Sequence, residues 1–297
     1  MPSRQILAIV NPRSGSHQAT RHLDQLKAAL LPHGLLVHTA VTERPGHAQE
    51  LAAAANPREI GCLCAVGGDG TIHEVVNGLM QRPQNQRIPL AVLAAGTGNA
   101  LALQYQLQSP ADTAHRILSA ITRPLDVIHV TAPGLSAYCI NIVGWGAATD
   151  INAHAEKLRW IGRSRYSVAA LWQILKPTIR PARLTLDGHP IEGPFLFAIA
   201  CNTMFAAHRM LVAPEARSDD GLLDVVLLRP TSRWNLLQVF QRVADGSHLQ
   251  LSGIELHRAS TLTIDSSTID PLNLDGELRG HTPFSATVVP GALEVMA

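Results

Sequence analysis

The run from Ile60 to Val66 is almost wholly apolar and passes into Gly67-Gly68-Asp69-Gly70-Thr71, after which Ile72, Val75, Val76 and Leu79 recur at helical spacing. A strand buried on both faces reads as such a run, and parallel sheets are where such strands occur. The stretch is therefore a strand, a Gly-rich turn and a helix. Glycines without side chains let a polyanion approach the backbone amides, and a helix N-terminus directs its amides at that space. Asp69 stands where a metal or a hydroxyl could be held.

The same grammar recurs along the first 127 residues. Gln5 to Val10 is an apolar strand, Asn11-Pro12-Arg13-Ser14-Gly15-Ser16 a turn, and the following helix carries Leu23, Leu26 and Leu30 on one face. Leu35 to Val41 is the next strand, with a helix opened by Pro45-Gly46 and stopped at Asn56-Pro57. Ile88 to Leu93 is a fourth strand, ending in Ala94-Ala95-Gly96-Thr97-Gly98-Asn99 before a helix from Ala100 to Gln106. Four alternations predict an α/β domain with a doubly wound parallel sheet, its ligands at the carboxyl ends of the strands.

Beyond a helix at Ala111 to Ile121 the pattern changes to strands. These are expected at Asp126–Thr131, Tyr138–Val143, Arg183–Leu186, Phe195–Cys201, Leu222–Leu228, Glu255–Ile264 and Phe284–Val289. Helices are expected near Asp150–Tyr166, Ser167–Leu175 and Ser232–Val243. A chain of 297 residues suits two domains. The expected division is 1–127, with a returning strand at about 284–297, and a β-rich domain at 128–283.

A net charge of +1 and 16% charged residues give no global sign of a nucleic-acid partner. The four cysteines form no CxxC pair and read as buried free thiols in a reducing compartment. Without a signal-like start or a run of about 18 apolar residues, a cytoplasmic location is expected. Locally, Lys157 to Arg183 holds seven basic residues (Lys157, Arg159, Arg163, Arg165, Lys176, Arg180 and Arg183) and no acid.

Several chemistries are excluded. There is no GxxxxGK phosphate loop, no complete GxGxxG fingerprint, no Gly-x-Ser-x-Gly elbow and no HExxH pair. Five ordered strings instead resemble the diacylglycerol kinase catalytic-domain family, which includes bacterial lipid kinases and sphingosine and ceramide kinases. They are Asn11-Pro12-Arg13-Ser14-Gly15, Gly67-Gly68-Asp69-Gly70-Thr71, Gly96-Thr97-Gly98-Asn99, Val212-Ala213-Pro214 through Ser218-Asp219-Asp220-Gly221-Leu222-Leu223-Asp224-Val225, and Leu274-Asp275-Gly276-Glu277.

The resemblance implies an α/β nucleotide domain and a C-terminal β-sandwich with helical insertions, binding ATP and Mg²⁺ and phosphorylating a lipid hydroxyl. It implies nucleotide contacts from Asn11, Pro12, Arg13, Ser14, Gly15, Thr42, Gly67, Gly68, Gly70, Thr71, Gly96, Thr97 and Gly276. Asp69, Asp275 and Glu277 become the catalytic carboxylates, the last two as alternatives for general base and Mg²⁺ contact. Asp220, with main-chain carbonyls of Arg217 and Leu222, would hold a structural Mg²⁺. Arg217 departs from the small polar residue common there.

Asp150 matches the acid that faces the sphingoid-base head in sphingosine kinases, and equally suits a helix N-cap. A second family acid is Asn152 here. Arg159 and Arg165 would reach phosphates or an anionic membrane surface, with Trp160, Trp172 and the Val168–Leu175 run as the apolar partner. The implied partners are a lipid substrate and a membrane touched peripherally, not nucleic acid; a homodimer is left open. The alternatives are an NAD kinase-like enzyme and a nucleotide-binding module without turnover.

Overall fold

The structure, a computed structural model, describes residues 5–158, 165–206 and 210–297, and their side chains except those of 16, 17, 156, 165–167 and 170. The chain divides into two compact units: Met1–Val127 with Ser218–Asp220 and Val289–Ala297, and Ile128–Arg217 with Gly221–Val288.

The first unit alternates strands and helices in chain order: β1 (Gln5–Val10), α1 (Gln18–Leu30), β2 (Leu36–Val41), α2 (His47–Ala54), β3 (Cys62–Gly67), α3 (Asp69–Met80), β4 (Leu90–Ala94), α4 (Ala100–Gln104) and α5 (Pro110–Ser119). The strands form a parallel sheet in the order β2-β1-β3-β4, with Val10 opposite both Val41 and Val66, and Gly67 opposite Ala94. β3 is buried along its whole length, which is why its sequence shows no alternation. Beyond β4, Val295 pairs in parallel with Leu90. Leu23, Leu26 and Leu30 of α1 pack with Ile6, Ala8 and Val10, and Met296 joins that cluster. α5 starts at Pro110 because Ser109 and Asp112 form a reciprocal capping box.

The second unit takes over within β5 (Thr122–Ala132), followed by β6 (Leu135–Cys139), β7 (Ile142–Gly146), α6 (Ala147–Lys157), α7 (Arg165–Leu175), β8 (Arg180–Leu186), β9 (His189–Phe195), β10 (Phe197–Cys201), β11 (Phe205–Ala206), β12 (Met210–Leu211), β13 (Leu223–Leu228), α8 (Arg233–Arg242), β14 (Ile254–Ala259), β15 (Thr261–Ser266), β16 (Pro271–Leu274), β17 (Glu277–His281) and β18 (Phe284–Met296). One antiparallel sheet runs β14-β13-β10-β7-β16-β17; β9, β8, β15 and the first residues of β18 form a second. Trp145 and Phe195, edge to face at 6.4 Å, pack in the core with Leu184, Val225, Leu262 and Leu272. All four cysteines are free and buried.

Three expected strands are each divided. Tyr138–Val143 becomes the end of β6 and the start of β7, because the amides of Ile140, Asn141 and Ile142 turn toward the Asp275 carboxylate. Glu255–Ile264 becomes β14 and β15 in different sheets; the Asp187 carboxylate gathers the amides and hydroxyls of Ser260 and Thr261 at the break. Phe195 closes β9, so β10 begins only at Phe197. The strand expected at Phe284–Val289 runs on to Met296. The first expected insertion helix starts earlier, after Gly146 at φ 83°, and ends at Lys157.

Candidate active site

At the carboxyl edge of the parallel sheet, the turns after β1, β2, β3 and β4 are fastened to one another. The Asn11 amide donates to Val66 O at 3.0 Å, the Thr42 amide to Val10 O at 2.8 Å and the Ala95 amide to Gly67 O at 2.8 Å. Asn11 Oδ1 accepts the Arg13 amide, and Arg13 projects into solvent while Pro12 and Ser14 are half-buried. Gly15, at φ 58°, lies against the Ala95 carbonyl, where a Cβ would collide. Glu74 of α3 takes the amides of Gly46 and Ala48 at 2.9 and 3.1 Å, docking the start of α2 onto α3.

The glycines have a closer function than clearing a path for phosphate. A Cβ on Gly67 would strike Thr71, which is buried over it, and a Cβ on Gly96 would strike the Cα of Gly68. Glycine is thus demanded at 67 by packing within its own turn and at 68 and 96 by the close approach of the two turns. Gly96→Ala is expected to cost about 1–3 kcal/mol in urea unfolding by overpacking, whereas Thr97→Ala, at an exposed position, stays within about 0.5 kcal/mol.

Asp69 joins the two turns. Its carboxylate accepts the Asn99 and Ala100 amides, each at 2.8 Å, at the N-terminus of α4. Asn99, at φ 55°, closes its own turn by exchanging hydrogen bonds with Gly96. Asp69 thus braces the edge, and the α4 amides it holds are committed to protein. Of the amides opening α3, those of Thr71 and Ile72 already donate to Gly68 O at 3.0 and 3.2 Å, which leaves the very start of the helix, at Gly70, as the place where its N-terminus faces the same edge.

In the second unit, Leu274 and Glu277 face each other across a two-residue turn, with Asp275 at φ 52° and Gly276 at φ 98°. Asp275 is buried, and its carboxylate accepts the Ile140, Asn141 and Ile142 amides at 2.8–3.0 Å. The Gly276 amide donates to Asn273 Oδ1 at 2.8 Å, and its carbonyl accepts Asn152 Nδ2 at 2.7 Å. Glu277 is exposed, with no hydrogen bond or ion pair to its carboxylate among the described residues. Of the two carboxylates, one holds the turn and the other is displayed by it.

Asp150 is engaged from within its own unit. Both its oxygens meet Arg180 Nη2, at 2.9 and 3.0 Å, and Gln173 Nε2 donates to Oδ2 at 3.0 Å. The N-cap alternative gives way as well: Gly146 caps α6, and Asp150 lies within the first turn. Arg180 Nε also reaches Asp270 Oδ1 at 2.9 Å, and Asp270 Oδ2 accepts Trp145 Nε1, Ser266 Oγ and Thr268 Oγ1. Burial opposes charge on Asp270, yet Arg180, Thr268 and Trp145 hold its carboxyl below the ordinary value.

Removing one member of a buried pair strands the others, so Arg180→Met is expected to cost about 3–5 kcal/mol at pH 7. A carboxyl depressed by folding contributes stability above its unfolded pKa, lost as pH falls through the folded value. Urea unfolding of both proteins should therefore show the gap narrowing from pH 7 to pH 3.

Arg159 lies outside the described residues, as does the side chain of Arg165, whose backbone opens α7. Between β12 and β13, Asp220 and Leu222 are half-buried and Arg217 is exposed. Ser218 there accepts the Asp126 amide at 2.7 Å through its carbonyl and bonds Tyr105 Oη at 3.0 Å through its hydroxyl. One carboxylate with main-chain carbonyls is an all-oxygen donor set of the kind Mg²⁺ takes.

Sequence reasoning missed Glu74, Asn99, Asn152, Arg180 and Asn273 as supports. Asn99 had a local signal, an Asn at a turn after glycine. Arg180 had none, its partners being 30 and 90 residues away.

A parallel α/β unit with glycine-rich turns at the carboxyl edge of its sheet and an antiparallel β-sandwich unit that displays a carboxylate together define the fold class. Residues 5–130 match the Diacylglycerol kinase catalytic domain, and residues 141–297 the YegS C-terminal NAD kinase beta sandwich-like domain. A diacylglycerol kinase of Bacillus subtilis (strain 168) is 30% identical over 281 residues, covering 93% of this chain and 90% of the relative. A crystal structure of a diacylglycerol kinase from Bacillus anthracis str. Sterne superposes with a TM-score of 0.75 at 20% identity, over 100% of this chain and 97% of that one. An NAD kinase from Archaeoglobus fulgidus, in complex with ATP, shares the fold at a TM-score of 0.52 and 13% identity, over 98% and 92% of the two chains. The chain belongs to the diacylglycerol kinase family and is a lipid kinase.

Proposed function

We propose that this chain transfers the γ-phosphoryl group of ATP to the hydroxyl of an uncharged lipid of the diacylglycerol type. The observation that carries the choice of acceptor is the closure of Asp150 by Arg180 and Gln173. A cationic sphingoid head would need an unengaged carboxylate there, and this one is engaged by Gln173 and by the Arg180 it shares with Asp270. ATP use is supported by the fastened turns at the sheet edge and by the ATP complex of the NAD kinase that shares the fold.

In this reading the turns at Asn11–Gly15 and Gly67–Thr71, with Thr42, Gly96 and Thr97, surround the nucleotide phosphates at the N-terminus of α3. Asp69 keeps those turns in register. Glu277 accepts the proton of the lipid hydroxyl as it attacks, and Asp275 and Gly276 fix its backbone. Mg²⁺, when bound, would neutralise charge developing on the transferred phosphoryl group, and Asp220 with the carbonyls of Arg217 and Leu222 would hold a second, structural ion.

No helix among the described residues is long and apolar enough to cross a membrane. α7 suits a surface instead: Val168, Leu171, Trp172 and Leu175 are exposed along one face, Gln173 is buried, and Lys176 lies 5.0 Å over the Trp172 ring. Each basic residue near an anionic leaflet contributes about 1 kcal/mol, so Lys176, beside Trp172, would help seat that face at the cytoplasmic side.

The test is purified protein with Mg²⁺ and γ-labelled ATP, offered diacylglycerol, ceramide, sphingosine and NAD separately in mixed micelles or buffer. Label is expected in diacylglycerol. Preferential labelling of sphingosine would overturn the uncharged acceptor, label in NAD alone would overturn lipid transfer by this chain, and ATP binding without any product would favour a silent module.

A further inference from the structure

Glu277 follows a turn whose polar groups are nearly all fixed from within its own sheet. The Asp275 amide donates to Ile142 O at 3.1 Å, the Asp275 carboxylate holds the three amides at 140–142, and the Gly276 amide meets Asn273. The Gly276 carbonyl is different. It accepts from Asn152 Nδ2 at 2.7 Å, and Asn152 belongs to α6, where it is buried. The Gly276 carbonyl and the Glu277 amide share one rigid peptide plane. Holding that oxygen fixes the plane's rotation, and with it the direction in which the Glu277 side chain leaves the backbone.

α6 is itself firmly seated. Thr149 Oγ1 donates to Gly144 O at 3.0 Å, and Asp150 is clamped to Arg180 and to Gln173 of α7. We infer that Asn152 is a positioning residue that aims the Glu277 carboxylate, making α6 part of the apparatus that orients the proton acceptor. Carboxamide chemistry is required: the group must donate to a carbonyl, which an ionised aspartate cannot do.

This inference rests on Glu277 being the proton acceptor, and the experiment separates the two. Asn152→Ala, Glu277→Ala and the double variant are compared in kcat and KM, with melting and amide hydrogen exchange of peptides spanning 274–278. Misaim by a fraction of an ångström to 1 Å is expected to lower kcat about 10–100-fold in Asn152→Ala. KM for ATP stays within twofold of wild type, and exchange at 276–278 speeds up. In the Glu277→Ala background the same change should alter kcat by less than twofold, because residues acting as one unit are not additive.

Full additivity, or exchange at 276–278 unchanged from wild type, would overturn the role of Asn152. Wild-type turnover in Glu277→Ala would instead overturn Glu277 as acceptor, and exchange would still decide whether Asn152 holds the turn. Should Asn152→Ala fail to fold, Asn152→Asp keeps the volume and removes the donor, with the same outcomes expected.

Discussion

Asp275→Ala is expected to destabilise the protein by about 3–5 kcal/mol and to abolish turnover. Three buried amides lose one ionised acceptor together, and each buried donor left unsatisfied costs about 1–3 kcal/mol, short of full additivity because the turn relaxes. Ile140, Asn141 and Ile142 lie where β6 ends and β7 begins, so the damage spreads to the centre of a six-stranded sheet. Asp275→Asn is no silent control: its amide nitrogen is a donor set against a donor. Urea unfolding checks both. An Asp275→Ala protein as stable as wild type would show that the carboxylate does not hold the break between the strands.

Glu277→Gln should do the reverse. The side chain is exposed, so unfolding is expected to stay within about 0.5 kcal/mol of wild type. The rate should fall about 10²–10⁴-fold, the range of a lost general base, with KM for ATP little changed. Steady-state kinetics with saturating lipid reads the loss. A variant within tenfold of wild type would remove Glu277 from the reaction. The pair of substitutions thus divides two neighbouring carboxylates that the sequence leaves interchangeable.

How far the sequence could be read depended on where the determinants lie. The α/β unit was legible because its signals are local: an apolar strand, a glycine turn and a 3.6-residue period within each segment of about thirty residues. In the sandwich unit the expected strands at Tyr138–Val143 and Glu255–Ile264 ran together, because the residues that interrupt them, Asp275 and Asp187, are more than 70 positions away. No window contains both strand and breaker.

The site shows the same limit. Gly67, Gly68 and Gly96 were visible as glycines, but their packing partners, Thr71 and the opposing turn, appear only in three dimensions. Asp150 was visible as a carboxylate, but its pairing with Arg180 was not, since a cation thirty residues on in a basic run looks like any other. Chemical type could be read locally; which groups were already spoken for could not.

The placement of residues 289–297 in the first unit has a consequence for the order in which the molecule can assemble. Val295 completes the sheet beside Leu90, Met296 fills the cluster beneath α1, and the Ala297 amide bonds Ile121 O. During synthesis the α/β unit is therefore begun before the sandwich unit yet completed after it: the β4 edge has no partner from Val295 while residues 128–288 are still being made. Unpaired strand edges recruit other chains. Between translation of Leu90 and arrival of Val295 the β4 edge is thus open to other chains, and slowing elongation across that interval lengthens the exposure.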